Sequence, residues 1–226
     1  MAYIPLRPPK APSLPIATID YQQGYIDQLT SALRLYFNQI DNGMASLLSG
    51  SGGASLSLPY LAAVDTTDQF ATATNTATLV KWNTLESSSG FTLTAPGTAT
   101  AEVSGVYKIT FSIQFVNTDN AIHDADLWLR VNGADVPYSS TLFSIPARKN
   151  PSFFGYVRGY SEVTFEVNAG DTIQLYWATS QAYVVSPATD GIYLEHKDAQ
   201  VSPYARPITP SAIGSITFVS RLPPPP

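Results

Sequence analysis

His123-Asp124-Ala125-Asp126 places one imidazole and two carboxylates within four residues. Such groups can hold a divalent cation. On an extended strand, however, alternate side chains point to opposite faces. Asp124 and Asp126 would then share one side and His123 would take the other. The plainer reading is the start of a strand with solvated carboxylates. Asp65-Thr66-Thr67-Asp68 has the spacing of an oxygen-ligand loop and equally that of a turn capped by its own aspartates. His196, within Glu195-His196-Lys197-Asp198, is a titratable group in the physiological range or an inert surface histidine. The serines include no G-x-S-x-G nucleophile elbow, and Gly50-Ser51-Gly52-Gly53 lacks the Lys and the following helix of a phosphate loop. With two histidines and no cysteine, the expectation is a chain without catalysis, cofactor or metal.

Aromatic side chains are the other chemistry on offer. The sequence has 13 Tyr, 10 Phe and 3 Trp. Trp128, Trp177, Tyr156, Tyr160, Tyr183 and Tyr204 could present amphipathic rings to a glycan or a protein. Trp177 and Tyr107 fall on core-like faces. Trp128 alternates against Leu127 and Leu129, so it faces away from them, toward a subunit interface. Tyr156 and Tyr183 remain as receptor-contact candidates.

Charged residues make up 13% of the chain and the net charge is −5. Nucleic acid binding needs a basic surface, so it is excluded as a function class. The opening MAYIPLRPPK has no apolar stretch of the kind that a signal peptide carries, and no segment approaches the ~20 apolar residues of a membrane span.

The elements that must position these residues read in five parts. Twelve of the 18 prolines lie near the ends: Pro5, Pro8, Pro9, Pro12 and Pro15, then Pro203, Pro207, Pro210 and Pro223 to Pro226. Residues 1–19 read as an extended arm, either a free tail or a docking strap punctuated by Tyr3, Ile4, Leu6, Leu14 and Ile16. Residues 20–43 read as one amphipathic helix, with Asp20 as N-cap, Gln23 as capping-box partner and Asn42-Gly43 as the stop. Ile26, Leu29, Leu33, Tyr36 and Ile40 follow a 3-4-3-4 spacing, and Phe37 widens the stripe. So short a seam is marginal alone. It suits a trimeric coiled coil or docking on a larger surface. Residues 44–56 read as a Gly/Ser linker, 57–220 as a β domain and 221–226 as a Pro tail.

Within the β domain the cleanest strand is Gly105 to Phe115, where Tyr107, Ile109, Phe111, Ile113 and Phe115 alternate with Lys108, Thr110, Ser112 and Gln114. Leu127 to Val131 runs into Asn132-Gly133, a hairpin signal. Val163 to Val167 and Ile173 to Trp177 alternate on either side of Ala169-Gly170-Asp171. Tyr183–Val185, Ile192–Leu194, Ile216–Phe218, Leu79–Trp82 and Phe91–Leu93 read as further strands. About ten short strands without intervening helices mean a two-sheet sandwich or jelly roll.

GVYKITFSIQF resembles the G-x-Y-x-F-x-F strand of the C1q/tumour-necrosis-factor (TNF) jelly rolls, with Ile109 where that family often has Phe. DADLWLRVNGADVP resembles the next hairpin of the same family, and FEVNAGDTIQLYW its V-x-x-G-D-x-[IV]-x-L strand pair. ALRLYFNQIDN, IHDADLWLRVNGADVP, FSIPARK and SAIGSITFVS resemble a group of tailed-bacteriophage virion proteins. The resemblance implies a mainly β, C1q/TNF-like jelly-roll sandwich forming a homotrimer. It also implies an N-terminal attachment, through residues 1–48, to the major capsid protein or another virion protein. The expected function is a trimeric capsid decoration protein or head fibre on the outer surface of a phage particle. Its anchoring residues would be Ile4, Leu6, Leu14, Ile26, Leu29, Leu33, Tyr36, Phe37 and Ile40. The alternative is the receptor-binding tip of a phage fibre, contacting a host-surface glycan or protein through Tyr156 and Tyr183.

Overall fold

The computed structural model describes residues 10–16, 22–48 and 58–222. Ile4, Leu6, the Asp20 cap, most of the Gly/Ser linker and the last four prolines lie outside the described residues. The chain divides into two units, Met1–Ser57 and Leu58–Pro226.

In the first unit, α1 spans Gln23–Leu48. Its first turn closes with the Tyr25 and Ile26 amides donating to the Gln22 carbonyl at 3.1 and 3.3 Å. The stop expected at Asn42-Gly43 is not used. Glycine inside a helix costs ~1 kcal/mol, but Met, Ala and Leu are strong helix formers. Met44-Ala45-Ser46-Leu47-Leu48 therefore carries the helix past Gly43 and into the segment read as linker. At 1.5 Å per residue, α1 is roughly 39 Å long.

Among its described residues the second unit holds fourteen strands. In chain order they are β1 (Tyr60–Asp65), β2 (Gln69–Phe70), β3 (Thr78–Leu79), β4 (Thr84–Ser89), β5 (Phe91–Thr94), β6 (Thr98–Ala101) and β7 (Gly105–Asn117). Then follow β8 (His123–Val131), β9 (Ala134–Asp135), β10 (Thr141–Ile145), β11 (Gly155–Val167), β12 (Thr172–Thr179), β13 (Ile192–Leu194) and β14 (Ala212–Ser220). The first sheet runs β2-β13-β7-β14-β1-β4, with β11 on the other side of β7. The second runs β10-β8-β12-β6-β5, with β9 beside β8 and β3 beside β12. Short strands share an edge end to end: β14 pairs with β7 up to Ile113, and β13 takes over from Phe115. All pairings between strands are antiparallel. The described residues thus form a mainly β sandwich of two antiparallel sheets, and α1 is the single helix among them.

Alternation sets the core. Tyr107, Ile109, Phe111, Ile113 and Phe115 of β7 point between the sheets. They meet Ala125, Leu127 and Leu129 of β8 and Ile173, Leu175 and Trp177 of β12. β7 and β11 pair without a slip over thirteen residues, from Gly105 opposite Val167 to Asn117 opposite Gly155. Gly159 is required there, since a Cβ would lie 2.7 Å from the Phe115 ring. The Asn132-Gly133 turn between β8 and β9 has φ of 50° and 79°, the left-handed pair of a two-residue hairpin.

Two expected strands are corrected. Leu79–Trp82 is a strand only at Thr78–Leu79. Beyond it the Val80 and Trp82 amides donate singly to the Leu175 and Pro96 carbonyls, so no continuous ladder forms. Tyr183–Val185 belongs to an excursion that bridges back on itself at Val184 and Thr189 instead of joining a sheet. Between β13 and β14, residues 195–211 form a finger pinned at its base by reciprocal Lys197 and Thr209 hydrogen bonds of 2.8 Å. A second pair, Gln200 with Arg206 at 3.0 Å, lies nearer its tip.

Tyr107 links packing to stability. It is fully buried, its ring is edge-on to Phe91 and Phe218 with centroids 5.1 and 5.5 Å away, and its hydroxyl donates to the Val103 carbonyl at 2.8 Å. We expect Tyr107→Phe to lower unfolding stability by about 1 kcal/mol through the lost hydrogen bond. Tyr107→Ala should cost about 3–5 kcal/mol. Denaturant melts of the two variants check this, and equal losses would contradict it.

Candidate functional site

The register of the first sheet builds an aromatic row on its outer face. Val116 of β7 pairs with Tyr156 of β11 on one side and Tyr193 of β13 on the other. Tyr193 in turn pairs with Phe70 of β2. Residues directly opposite share a face, so Tyr156, Val116, Tyr193 and Phe70 line up across four strands, a span of about 14 Å. Tyr183, carried on the excursion before β13, stacks on Phe70 at 5.6 Å and lies 5.1 Å from Tyr193. Phe70 and Tyr193 are 5.4 Å apart. Val116 is wholly covered, whereas Phe70 and Tyr156 stay about two-fifths exposed. The two receptor-contact candidates of the sequence, Tyr156 and Tyr183, therefore belong to one surface, and Phe70 and Tyr193 complete it.

A charged pair is set into this surface. Glu195 is buried, and its Oε2 lies 2.9 Å from Lys197 Nζ. Lys197 also donates to the Tyr156 hydroxyl at 3.2 Å and sits 4.9 Å from that ring's centroid. Tyr193 donates to Glu195 Oε1 at 3.3 Å. Burial first, then the Glu195 and Asp68 carboxylates, push the Tyr193 phenol well above its ordinary value. Burial would pull the Lys197 ammonium down, but hydrogen bonds to Glu195 and Tyr156 outweigh it and hold the group above its ordinary value. The surface is thus apolar rings around a fixed ion pair, with Lys197 the more exposed of its two partners.

The other aromatic candidates are placed elsewhere. Trp177 is in the core. Trp128 faces outward on the second sheet, stacked on Tyr176 at 6.2 Å, and its indole donates to Asp135 at 2.7 Å. Arg130 covers the Tyr176 ring at 4.0 Å and donates to the same Asp135 oxygen at 2.8 Å. Tyr160 is exposed on β11, and Tyr204 is exposed on the finger.

The titratable candidates stay apart. His123 Nε2 lies 2.7 Å from Asp119 Oδ2, and this contact, with the Asn120 amide, holds the Asp119 carboxyl below its usual range. Asp124 accepts from the Ser144 hydroxyl. Asp65 accepts from the Thr67 amide at 2.9 Å and the Thr67 hydroxyl at 2.6 Å, which is turn capping. His196 donates its amide to Asp68 Oδ1 at 2.9 Å, with its Nδ1 2.8 Å from the same oxygen. Among the described residues no three acidic, His or Cys side chains gather as a metal site.

In the first unit, residues 10–16 and α1 enclose a groove lined by Lys10, Ala11, Pro12 and Ser13 and by Ala32, Leu35, Tyr36 and Gln39. Tyr36 lies in this groove. Leu14, Ile26 and Phe37 are exposed within their own unit, and Leu29, Leu33 and Ile40 are partly so. Leu35, Met44 and Leu47 are exposed as well, and the sequence reading did not select them.

No protein-family model and no curated protein matches the chain. Among solved structures it is similar to murine APRIL, a TNF-family jelly roll crystallised at pH 5.0. The TM-score is 0.43 at 14% identity, over 71% of this chain and 99% of that one.

Two outcomes follow from the electrostatics. Lys197→Ala strands the buried Glu195 carboxylate and should lower the melting temperature. Glu195→Gln in the same chain should recover part of that loss, and a purely additive double mutant would contradict the pairing. Burial, then the Asp124 carboxylate, push the Asp126 carboxyl up, so its ionised form weakens the fold above the ordinary carboxylate range. Asp126→Asn should therefore raise the melting temperature at pH 7, with the gain vanishing below pH ~3.9. A gain that grew with acid would refute this sign.

Proposed function

We propose that the chain is a structural protein of a phage virion: a homotrimeric capsid decoration protein or head fibre held by its N-terminal arm and helix. The observation that carries this reading is the apolar surface of the first unit. Ile26, Leu35, Phe37, Met44 and Leu47 all stand exposed on α1, and Leu14 and Ile16 stand exposed on the arm. A helix with that much uncovered apolar surface gains by burying it against another body, at ~25 cal/mol per Å² removed from water. The resemblance of ALRLYFNQIDN and SAIGSITFVS to phage virion proteins supports a particle as the attachment point of the arm and helix, through its major capsid protein or another virion protein. The role is mechanical. Three modest anchors on one trimer hold far more tightly than one when all engage together. The jelly roll is then displayed on the outer surface of the particle, and no catalysis is assigned to it.

The aromatic row favours a second reading, a receptor-binding tip. Phe70, Tyr156, Tyr183 and Tyr193 around Lys197 suit a host-surface glycan or protein.

The full chain should sediment at three times 24.3 kDa. Antibody to the jelly roll should label the outside of tailed particles from the source of the sequence. Leu33→Asp with Ile40→Asp should reduce particle binding by about a hundredfold or more while the jelly roll keeps its melting temperature. A monomer, or unlabelled particles, would overturn the virion reading. Loss of cell binding by Tyr193→Ala, with particle binding intact, would establish the second role beside the first.

A further inference from the structure

We infer that α1 associates with the same helix of other copies in parallel, through the seam Ile26, Thr30, Leu33, Phe37, Ile40, Met44 and Leu47. This rests on the trimeric reading proposed above and names the partner of the helix stripe.

The argument starts from where α1 ends. Because the helix runs to Leu48, Met44 and Leu47 join the pattern. The spacing from Ile26 to Leu47 is then 4-3-4-3-4-3, three heptads in which only Thr30 is polar. A sustained 3.5-residue period is what keeps an apolar seam facing a partner helix. The spacing through Leu29 and Tyr36 leads instead to Gly43, which has no side chain to insert.

The arm supplies an independent observation. Its groove uses Ala32, Leu35, Tyr36 and Gln39 of α1. At 100° per residue these lie on the flank away from Ile26, Phe37 and Met44. The arm therefore leaves the seam open: Ile26 is 40% exposed, Phe37 56%, Met44 54% and Leu47 43%.

Charge and area agree with a second copy as occupant. The positions flanking the seam are Asp27, Arg34 and Asp41 on one edge, all charged, and Leu29, Tyr36 and Gly43 on the other, none charged. In a parallel arrangement one edge meets the neighbour's other edge, so no like charges face each other. Burying what Ile26, Leu33, Phe37, Ile40, Met44 and Leu47 expose would remove on the order of 400–500 Å² per helix, roughly half the ~800 Å² per partner of a standard interface, so the seam is one part of a larger contact between copies. Ile26 and Ile40 alternate with Leu33 and Leu47 at equivalent seam positions. β-branched residues there disfavour a two-stranded coil.

The chain has no cysteine, so single-cysteine variants of the full protein report the geometry directly. Under mild oxidation, Phe37→Cys and Met44→Cys should form disulfide-linked pairs of chains several-fold faster than Leu35→Cys, which faces away. Met44→Cys is also the test of direction, because near one helix end it meets its counterpart only in parallel packing. If Tyr36→Cys and Gly43→Cys link faster in a chain that sediments as a trimer, the seam is wrong and the virion reading stands. The same holds if no helix position links in that trimer. If Phe37→Cys links and Met44→Cys does not, the parallel direction is overturned. A chain that sediments as a monomer overturns both.

Discussion

The thirteen-residue pairing of β7 with β11 fixes both faces of the first sheet at once. Side chains on a strand alternate with period two, so a choice that buries Tyr107, Ile109, Phe111, Ile113 and Phe115 leaves the intervening residues on the outside. Val116 is the outward residue at the end of that series, and Tyr156 and Tyr193 flank it. A slip of one residue would send Lys108 and Gln114 into the core and dismantle the aromatic row in the same step. The inner packing and the outer surface are thus two consequences of one register. That register is held by Gly159, where Phe115 leaves no room for a side chain.

Some of this was legible in the sequence and some was not, for physical reasons. β7 showed itself because it is buried on one side along its length, which imprints strict alternation on eleven residues. The first half of β11 hid, because its inward positions are Gly155, Val157, Gly159 and Ser161, with Gly159 kept small beneath Phe115 and Phe143 and Gly155 against the Pro146 carbonyl. β4 reads as Thr-Leu-Glu-Ser-Ser-Ser because it is an edge strand, where polar side chains protect the open ladder. Tyr183-Val184-Val185 has strand composition without strand pairing, since its amides close a local excursion. The helix end was misplaced because Asn-Gly is a strong local stop that the helix formers after it overrode.

The aromatic row marks a similar boundary. Tyr156 and Tyr183 were recognised as unassigned rings, but Phe70 and Tyr193 were not. What unites them is pairing across β2, β13, β7 and β11, strands far apart in the chain, Phe70 and Tyr193 being 123 residues from each other. No local spacing records that. The Glu195–Lys197 pair has the same origin: beside Tyr156 it is one fixed ion pair in an apolar field, and in the linear sequence it is an ordinary Glu-His-Lys-Asp run.

The finger between β13 and β14 has its own consequence. Its two ends are held together by the Lys197 and Thr209 backbone groups, and Val201 and Tyr204 near its tip are open to solvent. Chain added beyond the clasp would meet no packed neighbour, so this is where length can vary at small cost to the sandwich. Related chains are free to diverge there first, and a reporter peptide grafted at Ser202 would be presented without disturbing either sheet.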